Sequence, residues 1–356
     1  MNESDVTVLS AAQEYLRNEV RPHAAAIDLD PEALRRALSG LCERRLMALK
    51  RPAEYGGPAI SEEGFRYFQE EVARASGSLA FLQTQHQSAV GLIARGSNHD
   101  LKLSALPAMG DGRRLVGIGF SQLRRSGPPI LTAERIEGGY HLVGHVPWVT
   151  GAGFYPEFLV GGQLEDGRAV FGIVPLVEQH GVRLGAPMRL AAMESAQTVT
   201  VDLDWCLPDA LVADVKPPQW IHTNDQINIA IQGFFAIGCG RAGLDVVEEA
   251  WQRRGNEAVR DALAALDAEL GECRAAMVEA QRLHGEDTTT GKLEIRAWAI
   301  DLAVRCAHAA IAASGGAANA IDHPAQRIYR EALVYTVSAQ TVPIMEATLA
   351  RLSARR

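Results

Sequence analysis

Gly138-Gly139-Tyr140-His141-Leu142-Val143-Gly144-His145-Val146, running on through Pro147-Trp148-Val149-Thr150-Gly151-Ala152-Gly153, is the stretch that decides the fold. Ala133 to Ile136 precedes the glycine pair and Tyr140 to Val146 follows it, so the two runs read as a β-hairpin around a glycine turn. Phe158 to Leu164 and Ala169 to Val174 flank Asp166-Gly167 in the same way. Upstream, Leu115 to Phe120 is a short apolar strand rich in glycine. Downstream, Val199, Val201, Leu203 and Trp205 alternate with Thr198, Thr200, Asp202 and Asp204, the period of a half-buried strand. Strands at short spacing with no helices between them predict a small antiparallel barrel or sandwich over residues 113–215.

On either side the texture is helical. In residues 1–112, Gly56-Gly57-Pro58 breaks the chain, and Ser61 followed by Glu62 and Glu63 reads as an N-cap with acidic first-turn residues. Phe65, Phe68, Val72 and Ala75 then recur at helical spacing, and Ser78 is placed to cap the next helix, through Leu79, Leu82, His86 and Leu92. In residues 216–356, Leu263, Leu266, Leu270, Cys273 and Met277 step by three and four, a seam suited to bundle packing. Ile295, Trp298 and Leu302 repeat the step. Gly315-Gly316 and Pro324 interrupt it, and a last helix is expected from about Ala325 with a kink at Pro343. The fold class is therefore α+β: an N-terminal α-helical domain, a central β-domain and a C-terminal four-helix bundle.

Charge and composition narrow the function. Lys plus Arg number 35 against 43 Asp plus Glu, a net charge of −8, which argues against general nucleic-acid or anionic-membrane binding. No apolar run approaches the ~18 residues of a membrane span. Met1 to Asp5 is acidic and unlike a secretory signal, so a cytoplasmic location is expected. The five cysteines are widely spaced without a CxxC pair, and the ten histidines form no HxH or HExxH pair, so no metal is expected. No Gly-x-Ser-x-Gly elbow or P-loop occurs. His86 reads first as a hydrogen-bonded histidine of the N-terminal helices, and Gly271 as a tolerated helix glycine.

Four segments, in order, resemble the acyl-CoA dehydrogenase superfamily of flavoproteins. Ala53-Glu54-Tyr55-Gly56-Gly57 resembles its Pro-Glu-Glu-Tyr-Gly-Gly turn, and Gly139 to Gly153 its "GYxLNGxKxWITNAG" stretch. Gly238-Cys239-Gly240-Arg241-Ala242-Gly243-Leu244-Asp245 resembles its "LGIARAALD" helix. Gly315-Gly316 with Pro324 to Glu331 resembles "GGxGY…PxxRxxRDAR". The resemblance implies bound FAD, with FMN as the alternative, and a homodimer or homotetramer. It implies that Trp148 lies against the flavin ring and that the Thr150 hydroxyl meets N5. It further implies that Ser121, Gln122 and Leu123 face the pyrimidine and Ser126 the pyrophosphate. Gly315, Gly316, Thr341 and, aligned to an "RxxFG" arginine, Arg253 complete the cofactor contacts. Arg124 and Arg125 read equally as pyrophosphate partners or as a solvated loop.

The same resemblance exposes what differs. The family's catalytic glutamate falls on Ala339 or, in some members, on Asn228, and neither side chain takes a proton. Ile229 stands where an arginine contacts the acyl-CoA. Asn256-Glu257 replace Phe-Gly after Arg253, and Ala318-Asn319 follow the glycine pair. Three readings stay open. The first is an FAD-dependent dehydrogenase acting on the CH–CH group of an acyl-type substrate, CoA- or carrier-protein-bound, or of a small specialised-metabolism substrate, with His222, Asp225 or Glu331 as base and an electron-transfer protein as acceptor. The second is a flavin-dependent monooxygenase using a flavin hydroperoxide, with a flavin reductase. The third is a non-catalytic subunit.

Overall fold

The computed structural model describes residues 2–283, 285 and 288–354. Six helices come first: α1 (Glu3–Tyr15), α2 (Ala24–Leu29), α3 (Pro31–Glu43), α4 (Glu62–Ala75), α5 (Gly77–Ala94) and α6 (His99–Gly110). Ser61 caps α4 as its position suggests, its Oγ accepting from the Gly64 N–H at 3.0 Å. Phe65, Phe68, Val72 and Ala75 of α4 are all buried. The next helix is capped two residues earlier than expected: Ser76 Oγ accepts from Leu79 N–H, which frees the Ser78 hydroxyl to donate to Asp28. α5 is buried nearly all round: Leu79, Leu82, Ala89, Val90 and Ile93 pack in the core, and the enclosed Gln83, His86 and Gln87 are hydrogen-bonded.

Eight strands form one sheet: β1 (Val116–Gly119), β2 (Leu131–Ile136), β3 (Gly139–Thr150), β4 (Glu157–Gln163), β5 (Ala169–Pro175), β6 (Val182–Leu184), β7 (Thr198–Pro208) and β8 (Val212–Lys216). The order is β6-β7-β3-β2-β4-β5-β8, with β1 added beside β4. Both expected hairpins are present, β2–β3 and β4–β5, antiparallel and in register. Two pairings, β1–β4 and the single β2–β4 contact, are parallel, because these strands are brought together by chain that leaves the sheet and returns.

The C-terminal helices are α7 (Trp220–Ile227), α8 (Gly233–Arg254), α9 (Glu257–Arg282), α10 (Thr289–Ser314), α11 (Pro324–Val337) and α12 (Val342–Ser353). Leu270, Cys273 and Met277 of the predicted seam are buried, while Leu263 and Leu266 lie at its edge. Pro343 does not kink a continuous helix. It opens α12, where its missing N–H costs nothing, and the chain turns through residues 338–341 just before it. Gly238 lets α8 touch α4: a Cβ there would stand 2.2 Å from the Glu70 carbonyl oxygen.

A buried polar junction ties the three parts together. Asp28, 1% exposed, accepts from the Ser78 hydroxyl at 3.1 Å, the Met193 N–H at 3.3 Å and Arg330 Nη2 at 2.7 Å. The next residue of α11, Glu331, accepts from Arg327, one turn earlier, at 2.6 Å and from the Gly77 N–H, at the N-terminus of α5, at 3.1 Å. Among the described residues no helix is long and apolar enough to cross a membrane.

Candidate flavin site

β3 carries the two residues on which the site depends, and a bulge decides where they point. Val146 pairs with Val201 and Val149 with Val199, so Pro147 and Trp148 together oppose Thr200. Strict alternation from the buried Val146 would send Trp148 into the core. The additional residue instead returns Val149 to the core and leaves Trp148 on the outer face, 52% exposed. Proline suits the bulge, having no N–H to give the ladder. Thr150 follows on the same face as Trp148 but is 5% exposed, its hydroxyl 3.0 Å from that of Thr198, its partner across the strands.

The end of β3 is held from several sides. The Gly151 and Ala152 N–H groups donate to the carbonyls of Ala196 and Gln197. Gly151 has φ +103° and a Cβ there would stand 2.5 Å from the Tyr155 ring, so only glycine fits. The Tyr155 hydroxyl donates to the Leu82 carbonyl at 2.6 Å, and Arg35 Nη1 to that of Gly153 at 2.9 Å, which locks the strand end to α5 and α3.

Against β3 lies the 3-10 turn Ser121–Arg124. Gln122 is buried and its Nε2 donates to the Gly161 carbonyl at 2.9 Å, but its Oε1 and the Ser121 hydroxyl are buried without a partner. Polar atoms orphaned in this way are rare in folded chains and suit a ligand with complementary donors and acceptors, which the rim of an isoalloxazine provides. An exposed indole and a threonine hydroxyl at the end of β3, with two orphaned polar atoms on the turn packed against that strand, fit the apolar face and polar rim of a flavin. Ser126 and Arg125 are exposed further along the loop. Arg124 is engaged: its Nε and Nη2 donate to both oxygens of Asp225 at 2.7 and 2.8 Å.

The remaining expected residues fall into two other places. Ala339, Gln340 and Thr341 form the α11–α12 turn, with Ala339 at φ +50°. Gly315 and Gly316 end α10, and it is Arg254 rather than Arg253 that reaches them: Arg254 Nη1 donates to the Ala313 carbonyl at 3.0 Å and Nη2 to that of Ser314 at 3.4 Å. Arg253 is exposed and turns back onto the Glu249 carbonyl of its own helix. α8 and α10 run side by side in parallel, and the 19 residues from Arg296 to Gly315 amount to ~28 Å of helix. The glycine pair and the Ala339 turn thus lie at opposite ends of the bundle.

Of the three candidate bases, both carboxylates are already engaged. Asp225 is closed by Arg124. Glu331 is fully buried in the junction with Arg327 and Gly77, and desolvation pushes its carboxyl above the ordinary range. His222 is exposed on α7. Asn228 donates its side-chain amide to the Asn224 carbonyl and ends that helix. His86 is not at the site: its Nδ1 accepts from the Val116 N–H at 3.0 Å and its Nε2 faces the Met109 carbonyl at 3.1 Å. A cleft of about 770 Å³ opens elsewhere, between α4, α8 and α9, and its arginines are mostly closed by carboxylates, Arg74 by Asp245 and Arg274 by Glu70. Among the described residues no group of three or more His, Cys, Asp or Glu could hold a metal ion.

Thr198, Arg254 and the Arg124–Asp225 pair escaped the sequence reading. Thr198 opens the alternating strand, but only the β3–β7 register puts it opposite Thr150. Arg254, next to the aligned Arg253, is the residue whose guanidinium meets the end of α10.

Comparison with known proteins agrees with this architecture. Residues 2–113 match the family described as Acyl-CoA dehydrogenase, N-terminal domain. The chain is 24% identical to the probable acyl-CoA dehydrogenase YngJ of Bacillus subtilis (strain 168), over 97% of this chain and 96% of that one. It is 21% identical to the 3-(aryl)acrylate reductase of Clostridium sporogenes (strain ATCC 15579), over 95% of each. Among solved structures, the glutaryl-coenzyme A dehydrogenase glutaryl-CoA complex superposes with a TM-score of 0.83 at 17% identity, over 100% of this chain and 96% of that one. Residues 2–113 thus carry the acyl-CoA dehydrogenase N-terminal domain, and the whole chain, with its helices, sheet and bundle in the order its motifs predicted, has the fold of the acyl-CoA dehydrogenases.

Proposed function

We propose that this chain binds FAD at the outer face of β3 and removes hydrogen from a carbon–carbon bond of an acyl-type or small specialised substrate. The observation that carries the reading is the bulge that sets Trp148 and Thr150 side by side on one face. The bound flavin would supply the two-electron acceptor. Trp148 offers an apolar plane for it, and Ser121 Oγ and Gln122 Oε1 offer the polar contacts they lack. Thr150 and Thr198 share one hydrogen bond between their hydroxyls, so one of the two hydroxyl hydrogens remains to be donated outward, to a ring nitrogen beside Thr150.

Gly315, Gly316 and Arg254 lie too far along the bundle to share one ring with the Ala339 turn, which supports a nucleotide contact made with a second copy of the chain. Leu333 and Val337 of α11 and Val342, Leu349 and Leu352 of α12 are more than half exposed, a surface suited to a homodimer or homotetramer. Ser126 and Thr341 remain candidate cofactor contacts. Ile229, where acyl-CoA-binding relatives place an arginine, supports a substrate smaller than a CoA thioester or carried by a protein. The 3-(aryl)acrylate reductase among the relatives carries an unsaturated acid in its name, in keeping with chemistry at a CH–CH bond. An electron-transfer protein or a flavin reductase is the expected redox partner.

The test is the visible spectrum of the purified protein, then anaerobic reduction of wild type and Thr150→Val. The reading expects bound flavin and slower reduction in the variant; a colourless protein that takes up no FAD sinks it. Ala339, Asn228 and the closed Asp225 and Glu331 favour a second reading, a monooxygenase that needs no carboxylate base. Oxygen uptake matched by oxygen in the product would select it, and substrate-dependent bleaching without oxygen would select the dehydrogenase.

A further inference from the structure

α10 buries an arginine with no counter-ion. Arg296 is 1% exposed, and among the described residues no carboxylate pairs with it. Its Nη2 donates to the Ser338 carbonyl at 3.2 Å, and among the described residues its Nε and Nη1 find no acceptor. The chain treats its other deeply buried arginine differently: Arg327 faces Glu331 at 2.6 Å. A guanidinium enclosed by protein with most of its donors unmade is costly, and such charges are ordinarily neutralised by an anion. Burial alone lowers Arg296, to about 10, so it remains a cation at neutral pH.

The one carbonyl it holds belongs to the α11–α12 turn, whose next two residues, Ala339 and Gln340, are exposed. Ala339 keeps φ +50°, a left-handed conformation that alanine disfavours. The carbonyl that meets the guanidinium thus lies on a short turn, tied to Arg296 by that one hydrogen bond and to the end of α11 by the Ser338 and Gln340 N–H groups.

We propose that Arg296 is the receptor for the carboxylate of a small acidic substrate: the carboxylate replaces the Ser338 carbonyl on the guanidinium as the Ser338–Gln340 turn moves aside. This deepens the oxidoreductase reading, on which it rests for the chemistry at the turn, by naming the substrate as a free carboxylic acid.

The experiment is thermal unfolding of the flavin-loaded protein in a concentration series of sodium butyrate. Butyramide, similar in shape and uncharged, and sodium chloride at matched ionic strength serve as controls. Wild type is expected to gain a saturable rise in Tm with butyrate alone. Arg296→Met, which removes the unpaired charge, is expected to fold with a Tm no lower than wild type without butyrate, and to bind butyrate about tenfold to a hundredfold more weakly. Arg296→Lys should retain part of the response. A wild type indifferent to butyrate overturns the proposal whether or not any variant folds, and so does an undiminished response in Arg296→Met. The visible spectrum of the same samples separates the two ideas. A colourless protein with an Arg296-dependent response keeps the anion site and loses the flavin, whereas a yellow one with no response loses only the anion site.

Discussion

Mild acid should weaken this fold through one buried histidine. His86 is fully enclosed between α5, the Val116 N–H and the Met109 carbonyl, and desolvation lowers it from 6.5 to about 4. In the folded chain Nδ1 accepts the Val116 N–H, so a second proton there breaks that bond and has only the Val116 carbonyl, at 3.2 Å, to meet. The unfolded chain takes that proton as pH falls through about 6.5. Stability held above that pH is therefore lost on acidification, down to about pH 4, where the folded ring begins to titrate too. Between pH 7 and pH 5 the loss is about 2 kcal/mol, out of a limit of about 3 kcal/mol for a shift of this size. Glu70 and Glu331 act in the opposite direction, because burial raises their folded carboxyls, so the total slope mixes both signs. The measurement is thus a difference: urea unfolding of wild type and His86→Gln at a series of pH values. The gap between them should change by about 2 kcal/mol from pH 7 to pH 5, with wild type losing ground. A gap that does not vary with pH would refute the reasoning.

Other outcomes follow from the same geometry. Asp28→Ala should cost about 3–5 kcal/mol in urea unfolding, since Arg330 would lose its carboxylate partner and the Ser78 hydroxyl and the Met193 N–H their acceptor; a loss below about 1 kcal/mol would mean the junction is not holding the three parts together. The bulge predicts that Val149→Ala costs about 2 kcal/mol while Trp148→Ala costs less than about 1 kcal/mol, and the reverse order would restore strict alternation along β3. Thr198→Val should slow flavin reduction as Thr150→Val does, by disturbing the hydroxyl that Thr150 presents; full activity in the variant would detach Thr198 from the site.

The sequence discloses those parts of the molecule that rest on neighbouring residues. The Ser61 cap, the Asp166-Gly167 hairpin and the α9 seam are all local, with cause and consequence within a few positions, and all appear where expected. The family motifs located the strand bearing Trp148 and Thr150. What stayed hidden depends on residues far apart in the chain. Ser76 takes the cap because Asp28, some fifty residues away, claims Ser78. The bulge is defined only by the register of β7 against β3, and Arg124 reads as a free cation until Asp225, 101 residues on, is seen to close it. Pro343 supports a kink or a helix start equally well in one dimension; the turn at residues 338–341 decides for the start. Arg296 shows nothing unusual in sequence, because only its enclosure and the lack of a carboxylate make it conspicuous.

The central claim is that a flavin lies against Trp148, and titration of the flavin-free protein with FAD tests it most directly. Flavin fluorescence should saturate near one equivalent per chain, and Trp148→Ala should weaken binding about tenfold, the worth of one aromatic face. Binding of equal strength in wild type and Trp148→Ala would place the flavin elsewhere and contradict the account.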